Sequence, residues 1–396
     1  MRRVLVVAYY APPLGMSGVM RVTKLVKFLP RFGWEPVVLS VRTIAYPHYD
    51  PALLEDWPGI QIHRAHSLDP ARLRYLLLRS RHMGRSGSGW PGWLSNVLCF
   101  PDAKAGWCPF AISLGERIIK TEQPSAIFAT APPYSALAVG LALKRLSGLP
   151  LVADFRDPWP MGFVRPPGWQ LGRVARFRRS VVRMSDAVLA VNQGTASLIQ
   201  ADARILPNGF DPDEMAQPAR KLDGFGVVYV GNLWGNEDEF CAVVRAASQF
   251  PEVRVRLVGG MSPALSRELR SMSGFEYLGQ LSHRETISLM KGADLLLYLG
   301  KPGQPAGLKF YEYLGANRPV LAVSSTPSEA EELVIRHGVG LVRGCDEEGI
   351  KDGLRMALRG EISYCPSGLE IYNREHQARQ LAETLDQLTR AQTRPG

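Results

Sequence analysis

Long apolar runs are missing from this chain. No stretch approaches the ~18 apolar residues of a helical membrane span. Val4–Ala8, behind Met1-Arg2-Arg3, is too short for a signal peptide and is interrupted by Tyr9–Pro13, so it reads as a first strand. Paired cysteines are missing too. The five present (Cys99, Cys108, Cys241, Cys345, Cys365) are scattered and form no Cys-x-x-Cys, which leaves no zinc or redox motif and fits a reducing cytoplasmic setting. Gly15 and Gly18 do not make the Gly-x-Gly-x-x-Gly fingerprint, so no dinucleotide is implied. No Asp-x-Asp stretch stands out as a metal site. His63, His66, His283 and His337 lack metal-ligand spacing and read as surface or core residues. Acids are outnumbered, giving a net charge of +10. The usual partners of such a charge are nucleic acid or an anionic membrane, and no nucleic-acid reader motif is present.

What remains is a chain of 396 residues, 46% hydrophobic and 21% charged, natural for two soluble domains. Val4–Ala8, a helical pattern through Val22, Leu25, Val26 and Leu29, and Pro36–Ser40 make a βαβ start. Ala126–Thr130 and Leu149–Ala153 are further strands. Their carboxyl ends carry Ala131-Pro-Pro-Tyr134-Ser135 and Asp154-Phe-Arg156-Asp157-Pro-Trp159. After Pro207 the alternation resumes: Gly226–Val230, Val253–Val258, Phe275–Leu278, Asp294–Leu299 and Val320–Val323 read as strands, most of them followed by glycine. Ser282 and Glu285 form a capping box. The pattern is α/β, with a boundary at Pro207-Asn208.

Two stretches are basic, greasy and free of acid. One holds Arg72, Arg74, Arg79, Arg81 and Arg85 with leucines between, followed by Trp90 and Trp93. The other, Arg165–Arg183, reads as a basic amphipathic helix with Val174, Phe177, Val181 and Val182 between its arginines. Each is a candidate contact with an anionic bilayer; a mobile insertion packing on its domain is the other reading of the first.

The stretch Gly307–Leu321 concentrates the chemistry. Gly307 opens a helix, Lys309 and Glu312 share a face, and Gly315 and Pro319 stop it before a strand. A helix N-terminus suits phosphate, a lysine adds charge, and a carboxylate one turn on can accept from two ribose hydroxyls. The same residues also describe an ordinary i,i+3 ion pair on a surface helix.

Lys309-Phe-Tyr-Glu-Tyr-Leu with Arg318-Pro-Val-Leu-Ala resembles the donor motif of the retaining GT-B glycosyltransferases of family 4. Ala153–Trp159 and Leu206-Pro-Asn-Gly-Phe-Asp211 resemble two more of its motifs, in the family's order. The resemblance implies two Rossmann-like domains facing a cleft: residues 1–207 on the acceptor side, 208–370 binding the donor, and 371–396 as a helix crossing back. It places the donor near Gly18, Gly231, Asn232, Gln304, Gly307, Leu308, Lys309 and Glu312. Lys309, Asp154 and Arg156 take catalytic roles, and Tyr134, Asp157 and Trp159 meet the acceptor. It implies a nucleotide-sugar donor, no metal, retention of configuration, and a lipid-linked or saccharide acceptor of surface-polysaccharide assembly. The enzyme would be cytoplasmic and peripheral on the membrane. Two departures stand out. Gln304 occupies the first position of the family's paired-glutamate motif, and Gly231–Phe240, where relatives place a cation, contains Glu237, Asp238 and Glu239 and no base. A nucleotide-sugar epimerase on the same fold and a non-catalytic nucleotide-sugar or membrane scaffold are the rival readings.

Overall fold

The computed structural model describes residues 1–393 apart from 16, 45–47, 71, 74–98, 158–167, 301–304 and 326–327. Trp159, Gln304, Lys301, Arg165 and the arginines at 74, 79, 81 and 85 therefore lie outside the described residues. The chain divides into two compact units, Met1–Pro207 with Arg374–Gly396, and Asn208–Asn373.

In the first unit, β1 (Arg2–Val7), β2 (Trp34–Val41), β3 (Gln61–Ala65), β4 (Ala126–Ala131), β5 (Leu151–Phe155), β6 (Ala187–Ala190) and β7 (Arg204–Ile205) form a parallel sheet ordered β3-β2-β1-β4-β5-β6-β7. The helices among them are α1 (Ser17–Phe28), α2 (Cys108–Glu122), α3 (Ser135–Ser147), α4 (Gly168–Met184) and α5 (Gln193–Ile199). β4 and β5 are buried at every position, as expected of strands covered on both faces. The C-terminal helix (Arg374–Thr393) belongs to this unit. It packs on α1 through Ala378, Leu381, Ala382 and Leu385, and Asp386 accepts from Trp34 Nε1 at 2.8 Å.

The strand order reverses between β1 and β4, and there the buried polar side chains gather. Arg156 donates to the Ala131 carbonyl at 3.1 Å and to the carbonyls of Pro132 and Gly18. It thereby ties the segment after β4 to the first turn of α1. Asp154, at 0% exposure, takes Arg21 Nε at 3.0 Å and Nη2 at 2.7 Å in a bidentate pair, and Thr130 Oγ1 at 2.7 Å. Arg21 also donates to the Pro207 carbonyl at 2.8 Å. Arg72, the first arginine of the basic stretch, is likewise buried, 3.0 Å from Asp69, so it offers nothing to a bilayer.

The second unit repeats the scheme with β8 (Phe225–Val230), β9 (Val253–Val258), β10 (Phe275–Gly279), β11 (Leu295–Leu299), β12 (Val320–Val323) and β13 (Gly340–Arg343), ordered β10-β9-β8-β11-β12-β13. Its helices are α6 (Pro212–Met215), α7 (Glu237–Ala247), α8 (Pro263–Arg270), α9 (His283–Gly292), α10 (Leu308–Ala316), α11 (Glu329–His337) and α12 (Glu347–Leu358). The Ser282–Glu285 capping box is present at the start of α9. Gly315 does not stop α10, which runs on to Ala316 and ends on Asn317 in the left-handed conformation. Gly315 instead admits Phe210, whose ring a Cβ there would meet at 2.5 Å. Asp211-Pro212-Asp213 does spell Asp-x-Asp. Asp211 is the N-cap of α6 and accepts the Asp213 N–H at 2.9 Å.

Helices α6, α9 and α10 pack on one another. His283 Nε2 lies 3.0 Å from Glu214 Oε2. Burial pulls the His283 pKa down, but the Glu214 hydrogen bond and the Glu214 and Glu312 charges outweigh it, so the value is raised.

Asp154→Ala leaves Arg21 buried without its carboxylate, and urea denaturation should show a loss of about 3–5 kcal/mol; a loss below about 1 kcal/mol would mean the pair is dispensable. His283 holds its proton more tightly folded than unfolded. Its contribution is therefore complete below the ordinary histidine value of about 6.5 and fades as pH climbs through the raised folded value. The melting-temperature gap between wild type and His283→Ala should narrow from pH 6 to pH 9. A gap that is constant or widens contradicts the assignment.

Candidate functional site

The donor-motif residues sit where the second sheet changes direction. β8 and β11 pair only over Val227–Val228 and Leu295–Leu296, then part. Ligands of open parallel sheets bind at such a reversal, outside the carboxyl ends of the strands. The gap is bridged from α10: Tyr313 Oη accepts the Val230 N–H at 2.8 Å. Asn236 adds a second tie, its Nδ2 donating to the Leu299 carbonyl at 3.3 Å. Burial pushes the Tyr313 phenol well above its usual range, so it stays a neutral hydroxyl.

The amphipathicity of α10 decides which motif residues face outward. Phe310, Tyr311, Tyr313 and Leu314 are buried, each contributing on the order of 1.5–3 kcal/mol. Lys309 and Glu312 are left, joined by an ion pair of 2.8 Å, with side-chain exposures of 41% and 12%. Gly307 is the N-cap, and no side chain caps the first turn. The segment before it is held by Glu329, which accepts the Ala306 N–H at 2.8 Å, and by Tyr298, whose hydroxyl receives the Gly307 N–H at 3.4 Å. Leu308 and Lys309 thus open the helix at a fixed place, with their backbone N–H groups in its positive end.

Gly231 and Asn232 follow the end of β8. A Cβ at Gly259, which has φ 132°, would collide with the Gly231 carbonyl, so the segments after β8 and β9 approach only because that residue is glycine. Asn232 Oδ1 accepts the Gly260 N–H at 2.7 Å, and the Leu233 N–H reaches the Gly260 carbonyl at 2.9 Å. Glu237, Asp238 and Glu239 fall in the first turn of α7. There they stabilise the helix dipole and make that end repellent to phosphate.

In the first unit the structure separates the expected group. Asp154 and Arg156, read from sequence as catalytic, are buried and engaged with Arg21, Thr130 and backbone carbonyls, and these bonds hold this edge of the sheet. Tyr134 is buried as well, its hydroxyl donating to the Asp157 carbonyl at 2.9 Å. Asp157 is half-buried. Burial raises its pKa, and Asp154 adds to this against the opposing charges of Arg156 and Arg21. Gly18 is exposed in the first turn of α1, and its carbonyl accepts from Arg156. Tyr313, Asn236, Glu329 and the His283–Glu214 pair were not foreseen. Tyr313 reads as one more apolar position of an amphipathic helix, and the partners of the others are distant in sequence.

The family profile described as a glycosyl transferase 4-like domain matches residues 18–209, and the one described as glycosyl transferases group 1 matches residues 224–359. No curated protein matches the chain. Solved structures of similar fold include HepE of Anabaena in complex with UDP, at 16% identity over 99% of this chain and 98% of that one, with a TM-score of 0.57. A glycosyltransferase from Rickettsia africae matches at 13% identity, 99% and 96% coverage and TM-score 0.58. Sucrose-phosphate synthase of Thermosynechococcus elongatus matches at 14% identity, 99% and 97% coverage and TM-score 0.58. At these identities the likeness establishes the fold, two parallel-sheet α/β units of the GT-B architecture. Since the two profiles between them cover most of the chain, from the first turn of α1 through α12, the chain belongs to the family 4-like GT-B glycosyltransferases.

Proposed function

We propose that this glycosyltransferase draws its sugar from a nucleoside diphosphate held at the β8–β11 reversal of the second unit. The observation that carries the reading is the outward pair Lys309–Glu312 on the uncapped first turns of α10. Without ligand the two side chains neutralise each other. A bound donor exchanges that contact for two others: the diphosphate takes Lys309 and the N–H groups near Gly307 and Leu308, and the ribose hydroxyls take Glu312. HepE, of the same fold, is solved with UDP, which supports a nucleotide donor. In transfer the bond between the anomeric carbon and the diphosphate oxygen breaks, the acceptor oxygen bonds that carbon, and the acceptor hydroxyl loses its proton. The leaving diphosphate gains negative charge, so Lys309 and the helix end matter most in the transition state. That role requires no metal ion in the scheme. Retention of configuration rests on the family resemblance. Asp157 is the acceptor-side carboxyl group among the described residues.

The acceptor is read as a lipid-linked saccharide of surface-polysaccharide assembly, met at the cytoplasmic face of a membrane. No helix among the described residues is long and apolar enough to cross a membrane. Support for a peripheral contact comes from α4, which contains no acid and exposes Trp169, at 62%, with Arg173, Arg176, Arg179 and Arg183 on one face.

The donor reading is tested by thermal shift with UDP, GDP, TDP and ADP beside the matching nucleosides. One diphosphate should stabilise the wild type, by about 2.7 kcal/mol at a hundredfold its dissociation constant. Lys309→Ala should abolish the advantage of that diphosphate over its nucleoside. If the variant weakens both equally, or neither, the diphosphate role is wrong. For the membrane contact, vesicles containing phosphatidylglycerol should bind the protein and phosphatidylcholine vesicles should not. Each arginine of α4 contributes on the order of 1 kcal/mol, declining with salt. Equal binding to both kinds of vesicle, or no loss in Arg176→Glu/Arg179→Glu, refutes it.

A further inference from the structure

The pair of His283 and Glu214 lies on helices packed with the one that carries Lys309 and Glu312, and transfer as described above makes no use of it. α6, α9 and α10 pack on one another, and α6 and α10 both carry charge that reaches His283. From α6 comes Glu214, whose Oε2 lies 3.0 Å from His283 Nε2. From α10 come Glu312 and Lys309, 2.8 Å apart; the first favours a proton on the imidazole and the second opposes it. β8, under α9, offers the apolar Val228 and Val230. The other charged side chains of α6 and α9 are engaged or turned outward. Arg284 Nε donates to Gln217 Oε1 at 2.8 Å, Glu285 closes the capping box, and Lys291 donates to the Met215 and Gln217 carbonyls. Asp211 caps α6, and Asp213 is exposed. The His283 side chain is 32% exposed, so it exchanges protons with solvent.

We propose that His283 is a positioning residue of the donor site, which takes up a proton from solvent as the nucleoside diphosphate binds. The proposal rests on the donor reading given above. Without ligand, Lys309 and Glu312 neutralise each other, and Glu214 is the counter-charge of the imidazole. A diphosphate that engages Lys309 takes that cation from Glu312 and adds negative charge of its own. The surroundings of His283 then favour its charged form more strongly. Nε2–H stays on Glu214, and Nδ1 receives the added proton. The imidazolium replaces Lys309 as a cation acting on Glu312, and so steadies the carboxylate that meets the ribose. By linkage, the donor binds the protonated form more tightly than the neutral one. Affinity is therefore greatest below the His283 value of the free protein, which is raised above the ordinary 6.5. It falls as pH climbs through that value and levels off above the still higher value of the complex.

Calorimetry on wild type, His283→Gln and Glu214→Gln tests this, with whichever of UDP, GDP, TDP and ADP stabilises the protein. Titrations run from pH 7 to pH 9, above the second ionisation of a phosphate at about 6. At pH 7.5 they are repeated in HEPES and in Tris, whose different ionisation enthalpies report the protons taken up. Wild type should take up a fraction of a proton and lose affinity about three- to tenfold across the range. His283→Gln should still bind, with no uptake and no fall. Glu214→Gln keeps the imidazole with less charge to hold its proton, and its fall should come at lower pH. A wild-type affinity that is constant or rises with pH, or a fall shared by His283→Gln, overturns the inference. An unmoved fall in Glu214→Gln overturns it as well, even where His283→Gln does not fold. Failure of the wild type to bind any of the four nucleotides overturns the donor reading itself, which the other outcomes leave standing.

Discussion

Two parallel strands that part at their carboxyl ends leave backbone N–H groups without a neighbour, and the second unit depends on how that gap is closed. The Val230 N–H, facing the side β11 has left, is received by the Tyr313 hydroxyl. A buried N–H without a partner costs roughly 1–3 kcal/mol, so this contact fixes α10 against β8 and not merely beside it. Everything outward on α10 inherits its place from that contact. Phe310, Tyr311 and Leu314 fill the core, and Lys309 and Glu312 are left outside it, paired with each other. Gly315 completes the seat by letting Phe210 lie across the helix.

The first unit solves the same problem with charge. Arg156 crosses the β1–β4 reversal to three carbonyls, and Asp154 holds Arg21, which in turn reaches Pro207 at the end of the unit. These are buried ions with hydrogen-bond partners in place, costly to break.

Periodicity and punctuation were enough to read the α/β alternation, the helix opened by Gly307, the capping box at Ser282 and the basic helix before Met184. These depend on contacts within a few residues. Burial and long-range pairing were not readable. Asp154 stands at a strand end in either reading, and only its partner Arg21, on α1, shows that its carboxylate is occupied. Arg72 looked like one of a row of exposed bases until Asp69 enclosed it. The helix Cys108–Glu122 was missed because it follows a stretch that breaks the alternation, and β3 because Gln61–Ala65 carries polar residues on a half-covered edge. Gly315 was read as a stop because glycine ends many helices, whereas here it makes room for a ring.

The account stands on one claim, that a nucleoside diphosphate seats between the segment after β8 and the first turn of α10. Amide hydrogen exchange with and without UDP or GDP, whichever stabilises the protein, tests it most directly. Slowed exchange should be confined in the second unit to Gly231–Trp234 and Ala306–Phe310, the two sides of the reversal. Protection absent from both segments while the nucleotide binds elsewhere on the chain would contradict it.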